Sequence, residues 1–74
     1  MKQNQKEIRF KIRARAAQIA QSLLTEGYRI ISQSNACEII TLRHWRNGNH
    51  ITIVCGQIGV NVYKNGLLKK IELL

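Results

Sequence analysis

Apolar residues recur every three or four positions in the first third of the chain. The recurring positions between residues 5 and 26 are Ile8, Ile12, Ala16, Ile19, Ala20, Leu23 and Leu24. At about 100° per residue, the three isoleucines and Leu23 fall within about 60° of one another, as on an amphipathic helix. Gly27 follows the last of them, where a left-handed glycine commonly ends a helix. The pattern predicts one N-terminal helix.

After Gly27 the pattern changes to short apolar segments separated by turn dipeptides. Asn47-Gly48 and Asn65-Gly66 are typical of type I′ hairpin turns, and Gly56-Gln57 fits a type II′ turn. These turns predict strands near 37–46, 49–55, 58–64 and 67–73, and residues 28–33 form a further candidate strand. The segment 67–74 could equally be a short helix, and its apolar spacing fits a helix somewhat better than a strand.

Two-residue turns at the three sites set the strand registers. They pair Leu42 with Ile53, Ile53 with Val60, and Val60 with Ile71. Because side chains alternate along a strand, the registers collect one apolar face: Ile40, Leu42, Ile51, Ile53, Cys55, Ile58, Val60, Val62 and Ile71. We expect an α+β fold, in which the amphipathic helix packs on this face of a four- to five-stranded antiparallel meander.

The opposite face of the sheet is predicted to carry an aromatic row. In the same registers His50 lies between Trp45 and Tyr63. The next row is polar: Arg43, Thr52, Asn61 and, if the last segment is a strand, Lys70. Bases stack on aromatic rings while cationic side chains contact phosphates, so this face suits single-stranded nucleic acid. Aromatic pairs also stabilise sheets or dimer interfaces, and self-association through the open face is the structural alternative.

Charge favours a polyanionic partner. The chain has 12 Lys and Arg residues against 4 acidic residues, a net charge of +8. Half of the basic residues lie in the first fifteen positions, and Lys6, Arg9 and Arg13 would form one contiguous basic edge of the helix. Such an edge could follow a phosphate backbone, an anionic membrane surface or an acidic protein. Alternatively, it is only the solvated shoulder of a core helix.

The length of 74 residues predicts a single domain over 1–74, in which residues 1–5 are expected to be flexible. The apolar runs are too short for a membrane-spanning helix. The N-terminal segment is too charged for the apolar core of a signal peptide, so we expect a cytoplasmic protein.

Candidate catalytic and metal-binding residues are few. The soft ligands are His44, His50, Cys37 and Cys55, and they lack the spacing of a zinc site. We expect no metal and no cofactor, and we expect a binding module, not an enzyme. In a minority alternative, His50 acts as a general base in metal-free RNA cleavage, with Arg43 and Tyr63 beside it.

One stretch of the chain has a family likeness. LLTEGYRIISQSNACEIITLRHW resembles the helix, glycine, aromatic residue and two strands that begin HicA-type messenger-RNA interferase toxins, and NGLLKKIELL is similar to their closing helix. Those toxins carry a Gly-Ser-His motif where this chain has Ser34-Asn35-Ala36, so their catalytic histidine has no counterpart. The resemblance implies an RNA-facing α+β module without the toxins' chemistry.

Together these observations predict a small basic module that binds nucleic acid, either RNA or another single strand. The predicted contacts are Arg43, Trp45, His50, Asn61 and Tyr63 on the sheet and Lys6, Arg9 and Arg13 on the helix. The alternative is a protein-interaction or inhibitor module that is homodimeric through the open sheet face, or that binds an acidic protein. Salt separates these possibilities, since phosphate contacts weaken with salt and apolar contacts persist.

Overall fold

The chain forms one helix packed on one antiparallel sheet. The computed structural model describes residues 5–34, 36 and 38–74. Their elements are α1 (Gln5–Thr25), β1 (Tyr28–Gln33), β2 (Ile39–His44), β3 (His50–Cys55), β4 (Gly59–Lys64) and β5 (Leu67–Leu73). The strands follow one another as a meander in the order β1-β2-β3-β4-β5. The predicted α+β architecture is confirmed. The short-helix alternative for the last segment is wrong, and so is the part of the family likeness that rested on a closing helix.

Residues 1–4 of the segment expected to be flexible lie outside the described residues, and Gln5 begins α1. Gly27, with a φ of +101°, follows the end of the helix as predicted. Among the described residues no helix is long and apolar enough to lie across a membrane.

The core lies between α1 and the face of the sheet that it covers. Three helix residues, Ile12, Ala16 and Ala20, are buried against it. The buried sheet residues are Ile40, Leu42, Ile51, Ile53, Cys55 and Val60. The two alanines let the helix approach the strands closely, and the isoleucines and leucine fill the space between them.

One of the predicted hairpin turns forms as expected. Asn65 and Gly66 both have positive φ, 51° and 85°, as a type I′ turn requires. Lys64 therefore pairs with Leu67, and Tyr63 pairs with Leu68.

The turn between β3 and β4 lies one residue later than predicted. Gly56 is not among the residues with positive φ, so it does not open a type II′ turn. Instead, its N–H donates to the carbonyl oxygen of Gly59 at 2.8 Å, and Gln57-Ile58 forms the turn. Cys55 consequently pairs with Val60. Ile58, which was predicted to lie in the core, is 65% exposed in the turn.

The connection between β2 and β3 is longer than a two-residue turn. At Asn47-Gly48 only the glycine has positive φ. The N–H of His44 donates to the carbonyl oxygen of Asn49 at 2.8 Å, so residues 45–48 form a four-residue loop. Leu42 pairs with Ile51 as a result. These two hairpins are shifted by two residues from the predicted pairs. An even shift leaves each side chain on its predicted face, so the face was correct although the pairs were wrong.

A bulge in the last hairpin changes which face β5 presents. The register shifts by one residue between Val62 and Tyr63, so that Val60 pairs with Glu72 and not with Ile71. A one-residue shift exchanges the two faces of a strand. Glu72 therefore lies on the helix side, and Ile71, which was predicted to be in the core, is 58% exposed.

Candidate nucleic-acid interface

The predicted basic edge of the helix exists, but two of its three members are used to hold the fold together. Lys6, Arg9 and Arg13 border one shallow depression on α1. Arg9 and Arg13 both form ion pairs with Glu38, at 3.0 and 3.1 Å. Arg9 also donates to the carbonyl oxygen of Gly56. These contacts fasten the helix to the segments before β2 and after β3.

The two interfacial carboxylates are stabilised in their charged form. The side-chain hydrogen bond from Arg13, followed by that from Arg9, lowers the pKa of Glu38. The hydrogen bond from Arg15, at 2.6 Å, lowers the pKa of Glu72 on β5. Half of the acidic residues thus neutralise helix arginines. The pairing of Arg15 with Glu72 was not predicted, because the two residues are far apart in sequence and only the bulge turns Glu72 toward the helix.

The predicted row of aromatic rings does not form. Trp45 lies in the loop after β2, because the longer loop removes it from the strand. His50 pairs with Arg43, and Tyr63 pairs with Thr52. Asn61 pairs with Val54, and the bulge places Lys70 opposite Val62 on the helix side, so the predicted row of Arg43, Thr52, Asn61 and Lys70 is wrong as well. Arg43, His50, Asn61 and Tyr63 nevertheless all lie on the uncovered face, as the alternation of side chains predicted.

The uncovered face is graded from basic to apolar. Its first row is Arg29, Arg43 and His50, next to the loop between β2 and β3. The middle row is Ser32, Thr41, Thr52, Tyr63 and Leu68. The third row is Ile39, Val54, Asn61 and Ile71. Cationic chemistry is therefore concentrated at one end of the face.

At that end, three arginines and the exposed tryptophan line one depression. We call Arg29, Arg43, Trp45 and Arg46 the arginine–tryptophan cluster; they border a shallow depression of about 480 Å³ together with Ile31, His44, Asn47 and Gly48. Trp45 is 65% exposed, and the guanidinium of Arg46 lies 4.9 Å from its ring centroid. In the described part of the chain none of the three arginines forms an ion pair with a carboxylate.

Sequence reasoning missed Arg29 and Arg46. Arg29 belongs to the cluster because β1 pairs antiparallel with β2, which places it opposite Arg43. The strand prediction for 28–33 contained that signal, but no turn dipeptide set its register. Arg46 was assigned to a strand end, whereas the loop turns it over the ring of Trp45.

His44 holds the loop that carries the cluster. Its Nδ1 accepts the backbone N–H groups of Arg46 and Asn47, at 3.1 and 3.3 Å. Its Nε2 lies 3.0 Å from the carbonyl oxygen of Glu26. Since that carbonyl can only accept, Nε2 carries the proton and Nδ1 is the acceptor. The imidazole thus joins the end of the helix to the loop. It also accepts the N–H groups of Arg46 and Asn47, which a two-residue turn would orient differently.

Trp45 is held by its backbone and by the ring of His44. Its backbone N–H donates to the carbonyl oxygen of Gly27 at 3.2 Å. The ring lies nearly parallel to that of His44, with 6.4 Å between the centroids. The rings of His44 and Tyr28 are T-shaped to each other, with 5.0 Å between their centroids. This packing gives the indole a defined orientation, while Trp45 as a whole residue stays 65% exposed.

The cluster offers cation and ring chemistry. Arginine guanidiniums bind phosphate oxygens through paired N–H groups, and an indole face stacks on a base. Among the described residues no three His, Cys or Glu side chains converge on one point as metal ligands would. Cys55 is buried in the core, while Cys37 lies outside the described residues.

Comparison of the chain with protein-family models, with curated proteins and with solved structures gives no significant match.

Proposed function

We propose that this protein binds single-stranded nucleic acid through the arginine–tryptophan cluster. The observation that carries the proposal is the exposed indole of Trp45 among three arginines that lack carboxylate partners in the described structure. A base stacks on the indole in place of the Arg46 guanidinium that lies over the ring, and the guanidiniums bind the flanking phosphates. His50, in the same row as Arg29 and Arg43, adds a further donor.

The distribution of charge supports this location. The helix arginines Arg9, Arg13 and Arg15 are engaged with Glu38 and Glu72. Within the described residues, the arginines of the cluster have no such carboxylate, so they attract a polyanion without first breaking an ion pair. The cluster is therefore the main site, and the helix edge with Lys6 is a secondary contact.

The exposed ring favours a single strand over a duplex. Stacking on a side chain requires a base that is not already stacked between neighbours in a helix. Thr41, Thr52, Tyr63 and Asn61 continue from the cluster along the uncovered face and provide hydroxyl and amide groups for a strand that crosses it. Each stacked base contributes about 1–3 kcal/mol.

The test is titration with a fluorescein-labelled single-stranded RNA of mixed sequence, about 12 nucleotides long, followed by anisotropy. Trp45 is the chain's one tryptophan, so quenching of its fluorescence reports stacking directly. We expect Trp45→Ala to weaken binding by about five- to 150-fold. The DNA analogue and the RNA duplex, in parallel titrations, establish which nucleic acid is preferred.

Charge-matched variants locate the phosphate contacts. Arg29→Gln and Arg43→Gln should each reduce the slope of log affinity against log salt by about 0.7. Lys11→Gln, which removes the same charge from an exposed position on α1, should leave that slope nearly unchanged. Binding that is insensitive to Trp45→Ala, or equally sensitive to Lys11→Gln, contradicts the proposed site. A complex that persists at high salt would instead favour a protein-interaction module.

A further inference from the structure

The last strand exposes an unusual number of large apolar side chains. Leu67, Leu68, Ile71, Leu73 and Leu74 are each between 48% and 66% exposed. A single exposed leucine is ordinary on a protein surface, whereas here five large apolar side chains are exposed within eight residues, interrupted by Lys69, Lys70 and Glu72. Helix α1 packs on β1 to β4, and it reaches β5 through the ion pair of Arg15 with Glu72.

β5 also presents backbone groups that pair with none of the described residues. It is hydrogen-bonded to β4 on one side only, since it is the last strand of the sheet. The N–H of Leu74 points toward β4, where it donates to the carbonyl oxygen of Ile58 at 3.0 Å. Because these groups alternate along an antiparallel strand, Ile71 and Leu73 direct their N–H and C=O groups away from the sheet. They are available to a further strand.

The opposite edge of the sheet is less suited to pairing. β1 contains an irregularity between Ile30 and Ser32 and carries Arg29. Bulges and charged side chains are devices that prevent edge pairing. β5 also carries charges, at Lys69, Lys70 and Glu72, but its irregularity lies near the turn and residues 70–73 pair regularly with β4.

Charge selects one symmetrical way to pair two copies of β5. Backbone alternation allows two-fold axes at residues 70, 71 or 72. An axis at Lys70 places that lysine opposite itself, and an axis at Glu72 does the same with a carboxylate; like charges directly opposite one another are destabilising. An axis at Ile71 places Lys70 of each copy opposite Glu72 of the other.

We propose that the protein forms a homodimer in which two β5 strands pair antiparallel about a two-fold axis at Ile71. The two sheets become one sheet of ten strands, from five in each copy. Ile71 contacts Ile71 across the axis. Lys70 of each copy lies beside Glu72 of the other copy, and each Glu72 keeps its ion pairs with Arg15 and Lys70 of its own chain. The dimer leaves both arginine–tryptophan clusters accessible because they lie toward the other end of the strand order. The proposal does not rest on nucleic-acid binding.

Sedimentation equilibrium of the full chain at low and high salt is the first test. Each copy carries a net charge of +8, so screening of their repulsion should strengthen the dimer as salt rises. Nucleic-acid binding should weaken over the same range, which separates the two proposals. A chain that stays monomeric at high salt overturns the dimer.

Matched variants test the axis. Ile71→Lys should weaken dimerisation more than about tenfold, because it places two lysines opposite each other at the centre. Phe10→Lys adds the same charge at a position on α1 that is 73% exposed, and it should leave the dimer intact. A dimer that survives Ile71→Lys but is lost in Tyr63→Lys would contradict pairing through β5. It would assign the interface to the uncovered face of the sheet.

Cross-linking provides an independent readout. In a Cys37→Ser background, Ile71→Cys should oxidise to a covalent dimer, since directly opposite residues have Cα atoms about 4.5–5.5 Å apart, within disulfide range. Leu73→Cys lies on the same face but opposite Lys69 of the other copy, and it should not cross-link. Equal cross-linking of the two variants contradicts the register.

Discussion

The backbone N–H of Trp45 donates a hydrogen bond to the carbonyl oxygen of Gly27, at 3.2 Å. The side chains of Trp45 and His44 also lie close to Gly27. A methyl group on Gly27 would lie 3.0 Å from Nε1 of Trp45 and 2.9 Å from Nε2 of His44. The residue that ends the helix therefore also positions the loop that carries the proposed base platform.

Gly27→Ala should lower the free energy of unfolding by about 1–3 kcal/mol, because alanine is strained at a φ of +101° and its methyl group displaces the two rings. The displacement should shift the emission maximum of Trp45 and weaken oligonucleotide binding. Urea denaturation and fluorescence measure these effects.

Gly66→Ala is the matched control for that substitution. Gly66 has a φ of +85°, but a methyl group there meets nothing within 4 Å. The control therefore measures the backbone strain alone, and we expect it to leave the emission of Trp45 unchanged. If both variants change stability and emission equally, the close packing of Gly27 against the loop has no energetic role.

Acid should weaken the attachment of the helix to the sheet. The pKa of Glu38 is lowered by its hydrogen bonds to Arg13 and Arg9, and that of Glu72 by its hydrogen bond to Arg15, in both cases from an ordinary value of 4.5. A carboxyl group whose pKa is lower when folded stabilises the protein fully above its unfolded pKa. That stability is lost as the pH falls through the folded value. We therefore expect Tm to be steady above pH 4.5 and to fall as the pH drops below that value.

Variants assign the acid response to these two carboxylates. Thermal unfolding at a series of pH values should show a shallower acid decline for Glu38→Gln and Glu72→Gln than for the unchanged protein. Glu7→Gln removes a carboxylate that forms none of the described ion pairs, and its profile should keep the full decline. An acid decline that is unaltered in the first two variants would show that the ion pairs with α1 contribute nothing measurable.

His44→Ala should loosen the loop between β2 and β3. It removes the acceptor of the Arg46 and Asn47 N–H groups and the donor to the Glu26 carbonyl. We expect a loss of about 1–2 kcal/mol in the free energy of unfolding and faster hydrogen exchange in the loop. Oligonucleotide binding should also weaken, although His44 is placed as a support for Trp45 and not as a contact.

His50→Ala is the control for His44→Ala. It tests whether the removal of any imidazole has the same effect as the removal of the one that supports the loop. The ring of His50 is on an exposed residue and makes no hydrogen bond among the described residues. Its removal should leave loop exchange and stability nearly unchanged. Loop exchange that is unaffected in His44→Ala contradicts the supporting role.

Sequence periodicity was sufficient to predict the helix, the strands and the face of the sheet that is buried. The spacing of Ile8, Ile12, Ile19 and Leu23 predicted α1, and three turn dipeptides predicted the meander. The face containing Leu42 and Ile53 was predicted correctly even though their pairing was wrong. Alternation has a period of two, so errors of two residues in register do not change which side is buried.

Sequence was insufficient wherever a distant group decides the local geometry. Asn47-Gly48 and Asn65-Gly66 are the same dipeptide, yet only the second adopts the expected turn. At the first, the ring of His44 accepts two N–H groups and is itself fixed by the Glu26 carbonyl at the end of the helix. No short-range pattern contains that contact.

The sequence by itself determined that one amphipathic helix covers an apolar sheet face and that the chain is strongly basic. The sequence determined both features because periodicity is a local property of the chain and net charge is a sum over its residues. The tertiary structure alone decided which charges are available. It pairs Arg9, Arg13 and Arg15 with carboxylates and gathers Arg29, Arg43 and Arg46 around Trp45, because hydrogen bonds and strand pairing join residues that are distant along the chain.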